Sequence, residues 1–417
     1  MEHKKHKELL PVYLKGLSEG KYTLRQASES TGYSTRWLSK LKNEYKLKGD
    51  KVLEHVGKGH PAYNKIPEKT KLEIFKIYQS RYKDVNFAYF REALEKYEAI
   101  KISLPSLRNI MKEYDIVSPK ARKPKRKKPR HEPRPRRINF GDLLQTDGTP
   151  YEWFYKFKNT KKYCITGFID DATSIVTALY MTENECLYGY MEALRQTCLN
   201  FGMPREIYSD KAAIFRTTPK EKHNLTIHEQ LEGLTEKPTQ WQRILSELGI
   251  NQILANSPEA KGRIERLWET LQGRLPQEFY LNGIDTVEKA NEFLKTYILE
   301  FNSQFSVQPK SNDSFFIPIE KDILDEILCA RFERKTDKTG CFSFHNFKFK
   351  IEDADRVCNI KFYLCISEKG IRAKIKGKYY HVTLLDDPRY DLDENIPEVI
   401  KNIIFKYMYE NSKEIAP

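Results

Sequence analysis

Two periods of hydrophobic spacing divide the chain. Up to about residue 117, apolar positions recur every three or four residues, the spacing of helices. In KYTLRQASESTGYSTRWLSKLKNEYKL (21–47), Thr23 caps a short helix carrying Leu24 and Ala27, and Gly32 supplies a turn residue able to take positive φ. Ser34 or Thr35 then caps a second helix, with Trp37, Leu38 and Leu41 toward a core and Arg36, Lys40 and Lys42 outward. This spacing predicts a helix-turn-helix. Helices are also predicted over 68–80 and 86–98, and Ser103 caps another with Pro105 in its first turn. On that helix Leu107, Ile110, Met111 and Tyr114 form the apolar face, and Arg108, Asn109 and Lys112 point away.

Past residue 138 the pattern shortens. LLQTD (143–147) and REIYSD (205–210) are predicted strands that each end in an acid, and YCITGFIDD (163–171) with SIVTALYM (174–181) forms a hairpin. Helices are expected over 183–200, 240–248, 257–275 and 285–304, with a short strand at 250–256. Strands followed by strand–helix alternation indicate an α/β or α+β domain. Beyond about 330, FSFHNFKFKI, IKFYLCIS, GIRAKIKG and KYYHVTLL alternate with period 2, with Gly370 and Gly377 at turns, which predicts a small antiparallel β-barrel. The tail IPEVIKNIIFKYMYE reads as a helix.

Charge changes this picture. The chain holds 72 Lys+Arg against 58 Asp+Glu, a net +14, but residues 118–137 alone hold eleven cations, one acid and five prolines. Such a segment has almost nothing to bury and reads as an extended linker able to follow a phosphate backbone. The candidate contacts there are Lys125, Arg126, Lys127, Lys128, Arg130, Arg134 and Arg136. Two helical modules in tandem before a polybasic linker point to double-stranded DNA. The expected division is therefore helix-turn-helix 1–55, second helical DNA-binding domain 56–117, linker 118–137, α/β domain 138–310, barrel 330–390 and tail 391–417.

Other classes are excluded or weakened. At 39% hydrophobic and 12% aromatic, the chain is not disordered. No apolar run approaches the roughly 18 residues of a membrane span, and MEHKKHKELL lacks a signal-peptide core, so a cytoplasmic protein is expected. Seven cysteines without a CxxC pair argue against a disulfide framework or a structural zinc site. The nine histidines are too dispersed for a ligand set. Ser209 has no histidine partner or G-x-S-x-G elbow, and no arginine-rich constellation with a C-terminal tyrosine can be assembled.

The candidate chemistry lies in carboxylates. Asp147 and Asp210 close predicted strands, and Glu265 lies about two turns into a helix with Lys261 at i−4 and Glu269 at i+4 on one face. Three acids gathered at one rim of a sheet would repel unless cations lay between them. All-oxygen ligands suit Mg²⁺ or Mn²⁺, and two such ions promote in-line phosphoryl transfer. Asp170, Asp171 and Glu269 are the rival acids. Lys261 and Arg263 are read as phosphate contacts beside the metals, and Trp268 as core.

The strings QTDGTPYEWF, GFIDDATS, YSDKAAIF and SPEAKGRIERLWETLQGRL together resemble the catalytic core of insertion-sequence transposases related to retroviral integrases, closest to the ISNCY group, over roughly residues 20–310. The resemblance implies an RNase H-like fold and a DDE triad that maps onto Asp147, Asp210 and Glu265, with intervals of 63 and 55 residues. It also implies a C-terminal barrel that helps bind DNA and assemble protomers. The expected activity is Mg²⁺-dependent 3′-end cleavage and strand transfer, with terminal inverted repeats bound by the N-terminal modules and the protein at least a homodimer on DNA. Rival readings are a catalytically silent regulator and a structure-specific nuclease on the same fold.

Overall fold

The computed structural model describes residues 7–53, 66–119, 135–217, 238–255, 261–344, 347–352, 357–367 and 370–385. The chain divides into two compact units, residues 1–79 and 80–417. The first contains α1 (Leu10–Ser18), α2 (Leu24–Thr31) and α3 (Thr35–Lys48) around a core of Leu10, Leu14, Leu17, Ala27 and Leu38. Thr23 and Gln26 close a reciprocal capping box at the start of α2, and Gly32 ends it at φ +73°. Ser34 caps α3 by accepting the Trp37 N–H. The two capped helices and the turn at Gly32 are thus formed as the residues predict, with one correction. Trp37 is 39% exposed and stacks on Tyr33 instead of entering the core, which Leu38 fills. Arg36 and Lys40 are exposed and Lys42 is half-buried.

After α4 (Glu68–Arg81) come α5 (Phe87–Tyr97) and α6 (Leu104–Glu113), the latter capped by Ser103, with Leu107, Ile110 and Met111 buried and Arg108 and Lys112 exposed. Residues 120–134, which contain Lys125 to Arg134 of the linker, lie outside the described residues.

Five strands then build a mixed sheet in the order β3-β2-β1-β4-β5: β1 (Leu143–Tyr151), β2 (Tyr163–Asp170), β3 (Val176–Thr182), β4 (Glu206–Ser209) and β5 (Asn251–Leu254). The first three form an antiparallel meander, and β4 and β5 run parallel to β1. Two helices cover one face, α7 (Leu187–Asn200) and α8 (Gln240–Glu247), meeting Leu144, Phe168 and Ile207. The other face, with Ile165, Ile169 and Leu179, packs under α9 (Gly262–Gln272), α10 (Leu275–Leu281) and α11 (Val287–Phe305). Period-2 alternation along β2 therefore divides its side chains between two cores.

The edge strand β3 is closed off by α11. Asn291 bonds the Met181 N–H and carbonyl at 2.7 and 2.9 Å, and Asn302 does the same to Val176 at 2.8 and 2.8 Å. Eleven helical residues rise about 16.5 Å, as do five strand residues, so the two amides match the strand's spacing. The edge is thereby denied to another chain.

A short α12 (Lys321–Ile327) leads into β6 (Ala330–Lys335), β7 (Cys341–Phe344), β8 (Phe347–Ile351), β9 (Lys361–Ser367), β10 (Gly370–Ile375) and β11 (Lys378–Leu384). They form one nearly barrel-shaped antiparallel sheet in the order β6-β9-β10-β11-β8-β7. β6 and α12 are elements the alternation did not predict. Phe332 of β6 packs on Phe344 of β7 at 5.5 Å across the seam, with the Arg334 guanidinium 4.9 Å from the Phe344 ring. The predicted tail helix lies outside the described residues. No helix among the described residues is long and apolar enough to cross a membrane, and all seven cysteines are free.

Gly167 of β2 controls how closely α9 approaches the sheet. A Cβ there would lie 2.7 Å from the Trp268 ring and 2.9 Å from Leu179, and both neighbours are buried. Gly167→Val should cost about 1–3 kcal/mol by overpacking, seen as a lower urea midpoint at unchanged slope.

Candidate active site

Register brings two acids together. β1 and β4 are parallel, with Gln145 opposite Tyr208. Two residues further along each strand stand Asp147 and Asp210, on the same face in adjacent positions. The sequence placed Asp147 at the end of its strand, but β1 continues to Tyr151 because residues 147–151 still pair with β2. Asp210 follows the last residue of β4, where the pairing to β1 has stopped and the two strands leave an opening.

One cation serves both. Lys261 is 6% exposed, and its Nζ lies 2.7 Å from Asp147 Oδ1 and 3.6 Å from Asp210 Oδ2. Burial pushes the Asp147 carboxyl above the ordinary carboxylate range, the Lys261 ammonium pulls it down, and Asp210 raises it further. The Asp210 Oδ1 accepts the Ala212 N–H at 2.9 Å, which orients the carboxylate and leaves Oδ2 toward the ammonium.

The structure arranges the rest of the predicted acids differently. α9 begins at Gly262, so Glu265 lies in its first turn, not two turns in, and is exposed. Lys261, the residue before the helix, is buried, while Glu265 and Glu269 are exposed. Among the described residues no group of three His, Cys, Asp or Glu is assembled closely enough to hold an ion. Asp147, Asp210 and the Lys261 ammonium together sum to one negative charge. The two carboxylates offer oxygen donors alone, the ligand type that a hard divalent cation such as Mg²⁺ takes.

Asp170 and Asp171 are fully buried and saturated. Asp170 accepts the Gly141 N–H at 3.0 Å and both the N–H and hydroxyl of Thr173 at 2.7 Å. Asp171 accepts the Arg137 N–H at 2.8 Å, Gln145 Nε2 at 2.9 Å and Arg263 Nε at 2.8 Å. Gln145 in turn accepts the Ile264 N–H at 3.3 Å, so this cluster ties the start of α9 to the sheet beside Asp147. Arg263, read from sequence as a phosphate contact, is turned inward onto Asp171. Arg136 likewise donates to Ala172 O and Ser174 Oγ at 3.0 Å, holding the β2–β3 turn.

Glu185 is the residue that sequence reasoning missed. It stands two residues before α7 and accepts a 2.6 Å hydrogen bond from the Tyr190 hydroxyl. Gly148, the neighbour of Asp147, leaves it room, since a Cβ there would lie 2.9 Å from Glu185 Oε1. Burial raises its pKa, Tyr190 lowers it, and Asp147 and Asp210 raise it again. In the sequence Glu185 belongs to a polar ENE run before a helix, and nothing in that spacing places it at the rim of β1.

No family model matches. The chain is 30% identical over 337 residues to "Putative transposase y4bF" of Sinorhizobium fredii, covering 80% of this chain and 70% of that protein. It is 30% identical over 427 residues to the transposase for insertion sequence IS1202 of Streptococcus pneumoniae, covering 93% and 88%. The chain belongs to the insertion-sequence transposases. Among solved structures it is similar to a simian T-cell lymphotropic virus intasome in complex with a PP2A regulatory subunit (TM-score 0.31, 13% identity, 76% of this chain and 100% of that one). It is also similar to the HTLV-2 integrase catalytic core with magnesium (TM-score 0.28, 16% identity, 42% and 94%).

Two outcomes follow from the buried charges. Arg263→Met leaves Asp171 without its cation and should destabilise the fold by about 3–5 kcal/mol, measured by chemical denaturation. Glu185 has a folded pKa raised above 4.5, so the native state holds its proton more tightly than the unfolded chain. Its contribution to stability is present at low pH and lost as pH rises from the ordinary value through the raised one. Glu185→Gln should therefore flatten the decline of the metal-free unfolding midpoint over that interval, read by thermal melts in a pH series.

Proposed function

We propose that this chain is a DDE transposase, with an RNase H-like catalytic domain at 138–310, that cleaves the 3′ ends of an insertion sequence and joins them to target DNA. The observation that carries this reading is the pairing of Asp147 and Asp210 on adjacent parallel strands around one buried ammonium. Asp147 and Asp210 hold Mg²⁺, with Mn²⁺ able to replace it, and Glu265 joins them as the third acid. The chemistry such ions supply when bound is activation of an attacking water or 3′-hydroxyl and stabilisation of the leaving oxygen.

The chain's own residues do the rest. Asp171, Arg263 and Gln145 fix the start of α9 against the sheet, so that Glu265 lies one helical turn from Lys261 at the rim. Outward Arg36 and Lys40 on α3, with half-buried Lys42, read the terminal inverted repeats. Arg108 and Lys112 of α6 and the linker cations contact phosphates, adding affinity and not sequence choice. Joining two ends requires two active sites, so the working form is at least a homodimer on DNA. The C-terminal sheet contributes DNA and protomer contacts.

Purified protein with Mg²⁺ and a labelled duplex of the element's own terminus should give strand-transfer products. Asp147→Asn and Glu265→Gln should each lower them by about a hundredfold or more while end binding persists in a gel shift. Cleavage without joining would favour a nuclease. End binding with no chemistry in the wild type would favour a catalytically silent DNA-binding regulator.

A further inference from the structure

Lys261 is placed unusually for a lysine. Its ammonium is buried, and the charges it meets are the carboxylates of Asp147 and Asp210 at 2.7 and 3.6 Å. A buried charge is tolerated only where a partner compensates it, so the two acids and the ammonium hold one another in place. The ammonium carries one positive charge against two carboxylates and therefore leaves the site net negative, with an unmet demand for a second charge.

The lysine side chain can move while the helix start stays in place. Lys261 precedes α9 at φ −97° and ψ 16°, and the next residue is Gly262. Arg263 and the Ile264 N–H hold the start of α9 to Asp171 and Gln145, so only the Lys261 side chain need move. A lysine ammonium is a compact point charge on a flexible four-carbon stem, which can swing while the backbone stays fixed.

We propose that Lys261 is a resident counter-cation: it holds Asp147 and Asp210 together in the metal-free protein, yields that place to a divalent ion, and is released toward a DNA phosphate at the same rim. This inference rests on the reading of Asp147 and Asp210 as ion ligands. It adds that the ion and the ammonium compete for one place, so ion binding and the exposure of Lys261 are a single equilibrium seen from two sides.

The test uses the full chain without DNA. Lys261 should resist acetylation by an N-hydroxysuccinimide ester in metal-free protein and become reactive when MgCl₂ is added, read by peptide mass spectrometry. Lys261→Met should lower the metal-free melting temperature. It should also tighten apparent Mg²⁺ affinity in a calorimetric titration by about tenfold, the factor expected if the ammonium occupies the site in about nine molecules of ten. Asp147→Asn identifies the ion site in the same titration. If Mg²⁺ binds the wild type and not Asp147→Asn, yet Lys261 stays protected and Lys261→Met binds no more tightly, the counter-cation role is overturned and the ion site stands. If Mg²⁺ binds both proteins alike, the ion reading itself fails and this inference falls with it. Should Lys261→Met not fold, the labelling of wild-type protein decides alone.

Discussion

The parallel pairing of β4 against β1 is the constraint on which the site depends. It sets Asp147 and Asp210 side by side across a strand spacing, where two carboxylates repel. Asp147 lies in a partly buried position, so solvent does not dissipate that repulsion, and burial itself already raises its pKa. Lys261 offsets both effects with a single buried ammonium. The sheet thus keeps an unfavourable charge pair, and the compensating charge comes from the residue just before α9.

A second charge cluster secures that helix. Asp171 is fully buried and accepts from Arg137, Gln145 and Arg263, which come from the segment before β1, from β1 itself and from α9. Its partners therefore fix the relation between the sheet and α9 more narrowly than apolar packing alone, since a misplaced α9 would leave a carboxylate buried without its cation. Arg263 belongs to this framework. Lys261, two residues earlier, meets Asp147 and Asp210. Neighbouring cations on one short segment have opposite assignments because one meets an acid inside the fold and the other meets the acids at its opening.

The elements around the core are attached by different means. α5 is held by polar contacts onto α10 and α11: the Tyr89 and Tyr97 hydroxyls donate to the buried Glu278 at 2.7 and 2.6 Å, and Arg274 pairs with Glu92 at 2.6 Å. α5 and α6 belong to the same compact unit as the five-stranded sheet. The C-terminal sheet shares a continuous apolar core with α7 and α8, and Gln240 exchanges hydrogen bonds with the Arg331 backbone at 2.7 and 3.0 Å. Arg331 then pairs with Glu247 of α8 at 2.6 Å. In both cases a surface that looks like a separate module in sequence spends its polar groups on the core.

Local features were determined by the sequence alone. The caps at Thr23, Ser34 and Ser103, the turn at Gly32, the hairpin of β2 and β3 and the alternating strands of the C-terminal sheet follow from backbone rules that act over three or four residues. Asp147 and Asp210 were legible for the same reason, as acids at strand positions. What the tertiary structure decided is which charges meet. Arg263 turns inward, Glu185 arrives beside Gly148 and Lys261 settles between the two aspartates through contacts between residues far apart in the chain. Those outcomes depend on register between strands and on the close approach permitted at Gly167, and a residue type carries no record of the partner it will be buried against.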